Sequence, residues 1–165
     1  MAGLVRPMVG LEWAAWLSFI VQDNPAPKGS MRAVNQGRHM VEANPRIGVW
    51  RWQVTDTARK AKALHERPIL TGPVAVRLAF TLHRPSSFTK RSRPWPTHQS
   101  PGHGDIDKLA RGVLDALQDA TVFQNDAQVV ILNTVKQYPD SGRSDCLPHP
   151  GVLVGVYRWD PGAVE

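Results

Sequence analysis

The chain is poor in cysteine, in long apolar runs and in acidic residues relative to basic ones. A single cysteine, Cys146, in 165 residues excludes an internal disulfide framework and fits a reducing compartment. Cys146 and His149 have a ligand-like spacing, but no second pair completes a zinc site, and an ordinary loop cysteine is the simpler reading. No apolar stretch approaches the roughly 20 residues a membrane span needs. The opening residues lack the charged start, apolar core and cleavage site of a signal peptide, so the cytoplasm is the expected location and no membrane partner is expected. Internal repeats, a phosphate-cradling glycine loop, a nucleophile elbow and heptads are all missing. Nucleotide hydrolysis and acyl transfer therefore have no support, and no nucleotide cofactor is expected.

Fourteen Asp and Glu stand against twenty Lys and Arg, a net charge of +6. A basic balance of this size favours contact with nucleic acid or an anionic surface, because cations that neutralise phosphates release condensed counterions. Fourteen prolines and thirteen glycines indicate long loops. The length suits one domain with a real core. Residues 1–12 have no clear period and read as an N-terminal extension, with a single domain over residues 13–160.

Along that domain, residues 16–21 read as a buried first strand that stops at Asp23-Asn24-Pro25. Lys28, Arg32, Arg38 and Arg46 follow in a loop-rich region, either as a solvated basic face or as a surface that tracks phosphates. Residues 31–34 and 39–42, split by Asn35-Gln36-Gly37, form a candidate hairpin. Residues 49–66 show a helical stripe of Trp50, Val54, Ala58, Ala61 and Leu64, ended by Pro68. Residues 73–84 alternate apolar and other residues with the two-residue period of a half-buried strand. Residues 128–138 are rich in β-branched residues, and residues 151–159 place Val152, Val154, Val156 and Arg158 on one side of a last strand. Residues 160–165 read as frayed. The sum is an α/β (α+β) fold: a small mixed sheet of about four to five strands with two main helices.

Residues 85–104 form a long loop with four prolines, in which Lys90, Arg91 and Arg93 lie beside Phe88 and Trp95. Compact domains seldom keep such loops unless they are functional or mobile. Cations interleaved with aromatics suit nucleic acid, the cations for phosphates and the rings for exposed bases. A flexible insertion with solvated charges is the alternative. His98 and His103 have a spacing that does not identify metal ligands.

Directly after this loop, Asp105 and Asp107 bracket Ile106 at the start of a helix whose apolar face is Ile106, Leu109, Ala110, Val113, Leu114 and Leu117. Capping explains an aspartate at a helix start, and the four-residue steps from Asp107 to Arg111 to Asp115 suit surface ion pairs. A third acid, Asp126, precedes the strand that carries Lys136. If that strand lies beside the one ending at Arg84, Asp126 is expected near Asp105 and Asp107. Carboxylate oxygens suit hard divalent cations, and two such ions about 4 Å apart can activate water and stabilise a leaving oxygen in phosphodiester hydrolysis.

The ordered set Asp105-Ile106-Asp107-Lys108-Leu109, Leu114-Asp115-Ala116-Leu117, Asn125-Asp126-Ala127-Gln128-Val129 and Lys136 resembles the RusA-type Holliday junction resolvases, endodeoxyribonucleases frequent in phages and prophages. Pro25-Ala26-Pro27-Lys28-Gly29 after the first strand resembles the start of many members. The resemblance implies that Asp105, Asp107 and Asp126 hold catalytic Mg²⁺, with Mn²⁺ as a substitute. It implies that Arg111 stands in the place of the family's lysine, and that Lys108 and Asn125 replace an asparagine and an aspartate. It further implies a homodimer of mixed α/β fold that makes paired symmetric nicks across four-way DNA junctions, in recombination and repair. Lys28, Arg32, Lys90, Arg91, Arg93, Lys108 and Lys136 are the candidate DNA-binding cations. Because Lys108, Arg111 and Asn125 depart from the motif, a catalytically inactive DNA-binding protein of the same fold is the alternative. A third reading makes the acids caps and ion pairs only.

Overall fold

The computed structural model describes residues 15–29, 31–34, 39–42, 44–97 and 104–159, with the backbone alone at 31–34 and 39–42. The expected N-terminal extension, Arg38, His98, His103 and the last six residues lie outside the described residues, as does the side chain of Arg32. Among the described residues a four-stranded sheet runs in the order β1 (Leu17–Gln22), β6 (Gly151–Arg158), β4 (Val74–Thr81), β5 (Val129–Gln137). A separate antiparallel pair joins β2 (Met31–Val34) to β3 (His39–Glu42), as the hairpin reading expects. Helices α1 (Ile47–Leu64) and α2 (Ile106–Asp119) complete the α+β fold.

One face of the sheet carries the core. Phe19 and Val21 of β1, Val152, Val154 and Val156 of β6, and Val76, Leu78 and Phe80 of β4 pack with Trp50, Val54 and Ala58 of α1 and Leu109, Val113 and Leu117 of α2. The α2 stripe matches its sequence period, with Ile106 at the helix start and Leu114 only partly covered. The α1 stripe fails in its last turn, where Leu64 is 79% exposed. Its apolar period runs one turn further than the core it packs on.

The β4 strand is covered on both faces rather than half-buried. Alternation places Ala75, Ala79 and Thr81 opposite the helices, yet each is fully buried. The loop after β5 accounts for part of this cover: the Leu147 N–H donates to Thr81 Oγ1 at 3.0 Å, and Arg77 donates to Asp145 at 2.7 Å. Small residues on that face of β4 leave room for the loop to lie close, so alternation between large and small residues reported packing depth, not exposure.

Strand direction decides the layout of the acids. β4 and β5 are parallel, with Phe80 opposite Lys136 and Thr81 opposite Gln137. Two parallel neighbours need a crossover, and α2 supplies it. The start of α2 therefore lies near the C-terminal ends of β4 and β5, and its end lies near the beginning of β5. β5 is an edge strand, with Val130 and Leu132 54% and 43% exposed.

Candidate active site

The start of α2 is held by the loop that follows β1. The Lys28 N–H donates to Lys108 O at 3.0 Å, and Asn44 Nδ2 donates to Pro27 O at 2.7 Å. Ala26 is buried beneath. At Gly104 the backbone comes so close to the Pro27 ring that a Cβ there would collide with it. The PAPKG segment is thus a strap that fixes where α2 begins, and with it Asp105 and Asp107. Lys28, expected at the DNA, extends along α2 to Asp115 at 2.6 Å. Asp115 also faces Arg51 at 3.7 Å, which replaces the ion pair with Arg111 that the four-residue spacing predicts. A pairing 87 positions apart in sequence overrides the local one.

Asp105 sits at the N-cap position of α2, with extended backbone (φ −63°, ψ 146°), but its side chain makes no capping hydrogen bond. The carboxylate instead meets Lys108 Nζ at 3.3 Å and is 57% exposed. Asp107 and Arg111 are exposed on the first turns of the same helix. Capping, the structural explanation for these acids, therefore does not hold for Asp105. Lys136, on the neighbouring end of β5, reaches toward Gly104 O at 3.5 Å. Asp105, Asp107, Lys108, Arg111 and Lys136 are gathered at one end of the molecule.

Asp126 is not among them. Its N–H donates to Gln118 Oε1 at 3.0 Å, in the last turn of α2. The 14 residues of α2 place it on the order of 20 Å from Asp105, at a rise of ~1.5 Å per residue. The expectation that adjacency of the strands would bring the three acids together is overturned by direction: a parallel neighbour presents its beginning at the far end. No three His, Cys, Asp or Glu side chains among the described residues are placed to hold a metal ion.

The turn carrying Asp126 separates structural from spare groups. Asn125 caps a short 3-10 turn (Asp126–Gln128), its Oδ1 accepting from the Ala127 N–H at 2.8 Å. Gln128 Oε1 accepts from the Asn125 and Gln124 N–H groups at 3.0 and 2.8 Å, and its Nε2 donates to Leu70 O and Gly72 O. Asn125 and Gln128 thus build the turn, and the Asp126 carboxylate projects exposed from it. An aspartate caps as well as an asparagine, so Asn125 in place of the motif's first aspartate keeps the turn intact.

The basic loop is more organised than its composition predicts. Arg84 donates to the carbonyls of Thr89 and Arg93, pairs with Asp140 at 2.7 Å, and lies over the Tyr138 ring at 4.0 Å. The hydrogen bond from Arg84 holds the Asp140 carboxyl below its usual range, and burial pushes the Tyr138 hydroxyl up. Arg93 stacks on Phe88 at 4.5 Å. Lys90, Arg91 and Trp95 face outward. Sequence reasoning missed Arg84 and Asp145; the pairs Arg84–Asp140 and Arg77–Asp145 join residues 56 and 68 positions apart and leave no local signal.

A family model described as Endodeoxyribonuclease RusA matches residues 23–144, from the turn after β1 to the loop after β5. None of the curated proteins matches the chain. The matched span takes in the strap, both carboxylate motifs, the 3-10 turn and Lys136. The chain belongs to the RusA family of endodeoxyribonucleases, hydrolases that act on DNA.

Proposed function

We propose that the protein cuts four-way DNA junctions as a symmetric homodimer, with Mg²⁺ (or Mn²⁺) held between Asp105 and Asp107 of one protomer and Asp126 of the other, in recombination and repair. The observation that carries this reading is the edge strand. Among the described residues β5 is open along one side, exposes Val130 and Leu132, begins beside Asp126 and ends beside Lys136 and Gly104. Two copies paired antiparallel through β5 about a twofold axis would set the beginning of each strand against the end of the other. That arrangement closes the separation of about 20 Å left within one chain and covers an exposed edge. It yields two equal sites, which suits a substrate of similar symmetry.

The donor set fits the ion. All three groups are exposed carboxylates, and Asp105 is free of the cap its position would allow. Hard oxygen donors that leave water positions open are what Mg²⁺ takes. When bound, the ion supplies charge neutralisation and activation of water. The protein's own groups do the rest. The strap fixes the angle of the first turn of α2. Lys108 balances Asp105, and the exposed Arg111 offers a planar fork to a phosphate. Lys90 and Arg91 present cations along the approaching strand, and Trp95 a ring for an unpaired base.

Mixing two inactive variants tests the reading. Asp107→Asn and Asp126→Asn are each expected to bind a labelled four-way junction and leave it uncut. A mixture of the two contains heterodimers with one site free of either substitution, so single nicks are expected to return. A mixture that stays inactive, from variants that each bind and dimerise, would show that the acids do not combine between protomers. If the wild type shifts the junction without nicking it in Mg²⁺ or Mn²⁺, the inactive DNA-binding alternative replaces this reading.

A further inference from the structure

At the Asp126 end of α2 lies a pocket of about 340 Å³ that no part of the reading above uses. Arg59, Lys62, Glu66 and Arg67, from α1 and just beyond it, form one wall, and Ala120 and Thr121 form the other. Three cations face a single acid there. Helix-end chemistry explains part of the arrangement. Arg59 donates to Asp119 O at 2.9 Å, and Lys62 donates to Thr121 O and Oγ1 at 2.6 and 3.0 Å, where the negative end of α2 attracts cations.

Arg67 lies outside that explanation. Its guanidinium rests over the Trp16 ring at 5.8 Å and makes no hydrogen bond or ion pair among the described residues. The nearest acid of α2, Asp119, is turned away to Arg51, whose hydrogen bond keeps its carboxyl below the usual range. The pocket thus holds cations fixed in place by carbonyls and a ring, with N–H groups of Arg59 and Arg67 left over. Fixed guanidinium forks converging on a concave surface match the oxygens of a phosphodiester, and little side-chain freedom is lost on binding.

Resting on the DNA-nuclease reading, we propose that this pocket binds a backbone phosphate of a junction arm, as a contact separate from the loop at residues 85–97. Its location supports this. Thr121 leads directly through Val122 and Phe123 to the turn of Asp126, whose N–H is bonded to the same last turn of α2. A strand that presents its scissile phosphate at Asp126 continues past this end of α2, whereas the basic loop belongs to the opposite, C-terminal end of β4. In the proposed dimer this pocket and the basic loop of the other protomer flank the same composite site, which suits a strand held on both sides of its scissile phosphate.

The salt dependence of junction binding tests the pocket. Each lost phosphate contact lowers the slope of log K against log salt by about 0.9. Arg67→Gln removes a cation held only by the Trp16 ring from both protomers, so the slope of the dimer is expected to fall by about 1.8, about 0.9 for each pocket, with a nearly unchanged melting temperature. Arg67→Lys is expected to restore most of it, because a point charge still reaches a phosphate. Adding Arg59→Gln and Lys62→Gln should lower the slope further, and thermal melts of this triple variant separate lost contacts from a loosened helix end. Arg67→Gln binding with wild-type affinity and slope from about 50 to about 200 mM salt would overturn the proposal. A wild type that fails to bind junctions at all would instead overturn the nuclease reading on which it rests.

Discussion

Two sets of aspartates in this molecule have opposite surroundings. Asp145 is 5% exposed and accepts from Arg77 at 2.7 Å, from Arg143 through two N–H groups at 2.9 Å, and from Gln137 at 3.3 Å. Burial alone would raise its pKa, but the hydrogen bonds from Arg143 and Arg77 outweigh it and hold the carboxyl down at about 2. Asp105 has one long contact, with Lys108, and Asp107 and Asp126 stand exposed. A carboxylate that the fold depends on is saturated with donors. Carboxylates left unsaturated at the surface contribute only small helix-end and surface-pair terms to the fold, so their substitution reads out mainly function.

The sharpest way to break this contrast is to substitute one acid from each set. Asp126→Asn is expected to lower junction cutting by about a thousandfold or more, since charge stabilisation by a positioned ion is worth several kcal/mol. Its stability should stay within about 0.5 kcal/mol of wild type, as for a surface substitution that touches nothing. Asp145→Ala is expected to do the reverse. It leaves Arg77 and Arg143 facing a buried gap, at a cost of about 3 kcal/mol by denaturant titration. Cutting should survive at temperatures where the protein remains folded. Comparable destabilisation by both variants would dissolve the distinction.

Acid gives a milder version of the second experiment. The Asp145 carboxyl has a folded pKa of about 2, below the ordinary aspartate value of 3.8. Its contribution is therefore complete above the unfolded value and is lost as the pH falls from there through the folded one. Allowing for solvent around the two arginines, about 1–2 kcal/mol of stability should disappear across that window. Asp145→Asn should flatten that part of the pH–stability curve. An equal slope in the variant would assign the acid transition to other groups.

The fold was legible where periodicity alone decides. The two-residue period of β4 and the three- and four-residue steps of α2 put Leu78, Phe80, Leu109 and Val113 in the core. The parts that were not legible depend on direction or on distance in sequence. Alternation assigns residues to faces of β5 but carries no sign for parallel or antiparallel pairing, and that sign alone moves Asp126 from one end of α2 to the other. In the same way, the Lys28–Asp115 and Arg77–Asp145 pairs join residues 87 and 68 positions apart, and neither leaves a mark in a local window. The motif spacing draws attention to Asp105, Asp107 and Asp126 as a set. It could not say that one chain holds them apart.

The smallest expected effect concerns the residue beside Asp126. Asn125 caps the 3-10 turn through Oδ1, and Gln128 returns a bond to the Asn125 N–H. Asn125→Ala removes the cap and should cost about 1 kcal/mol. Asn125→Asp keeps an oxygen in the same place and adds charge next to Asp126. Without metal, repulsion between the two carboxylates offsets the slightly better cap, so the melting temperature should hardly move. With divalent metal the added charge lies on a group already committed to the Ala127 amide, and cutting should change by less than about twofold, or about 0.4 kcal/mol. Junction nicking at several Mg²⁺ concentrations measures this directly. A tenfold gain in apparent metal affinity would place Asn125 with the unsaturated acids, and the boundary between groups that build the turn and groups that serve the reaction would then run through the cap itself.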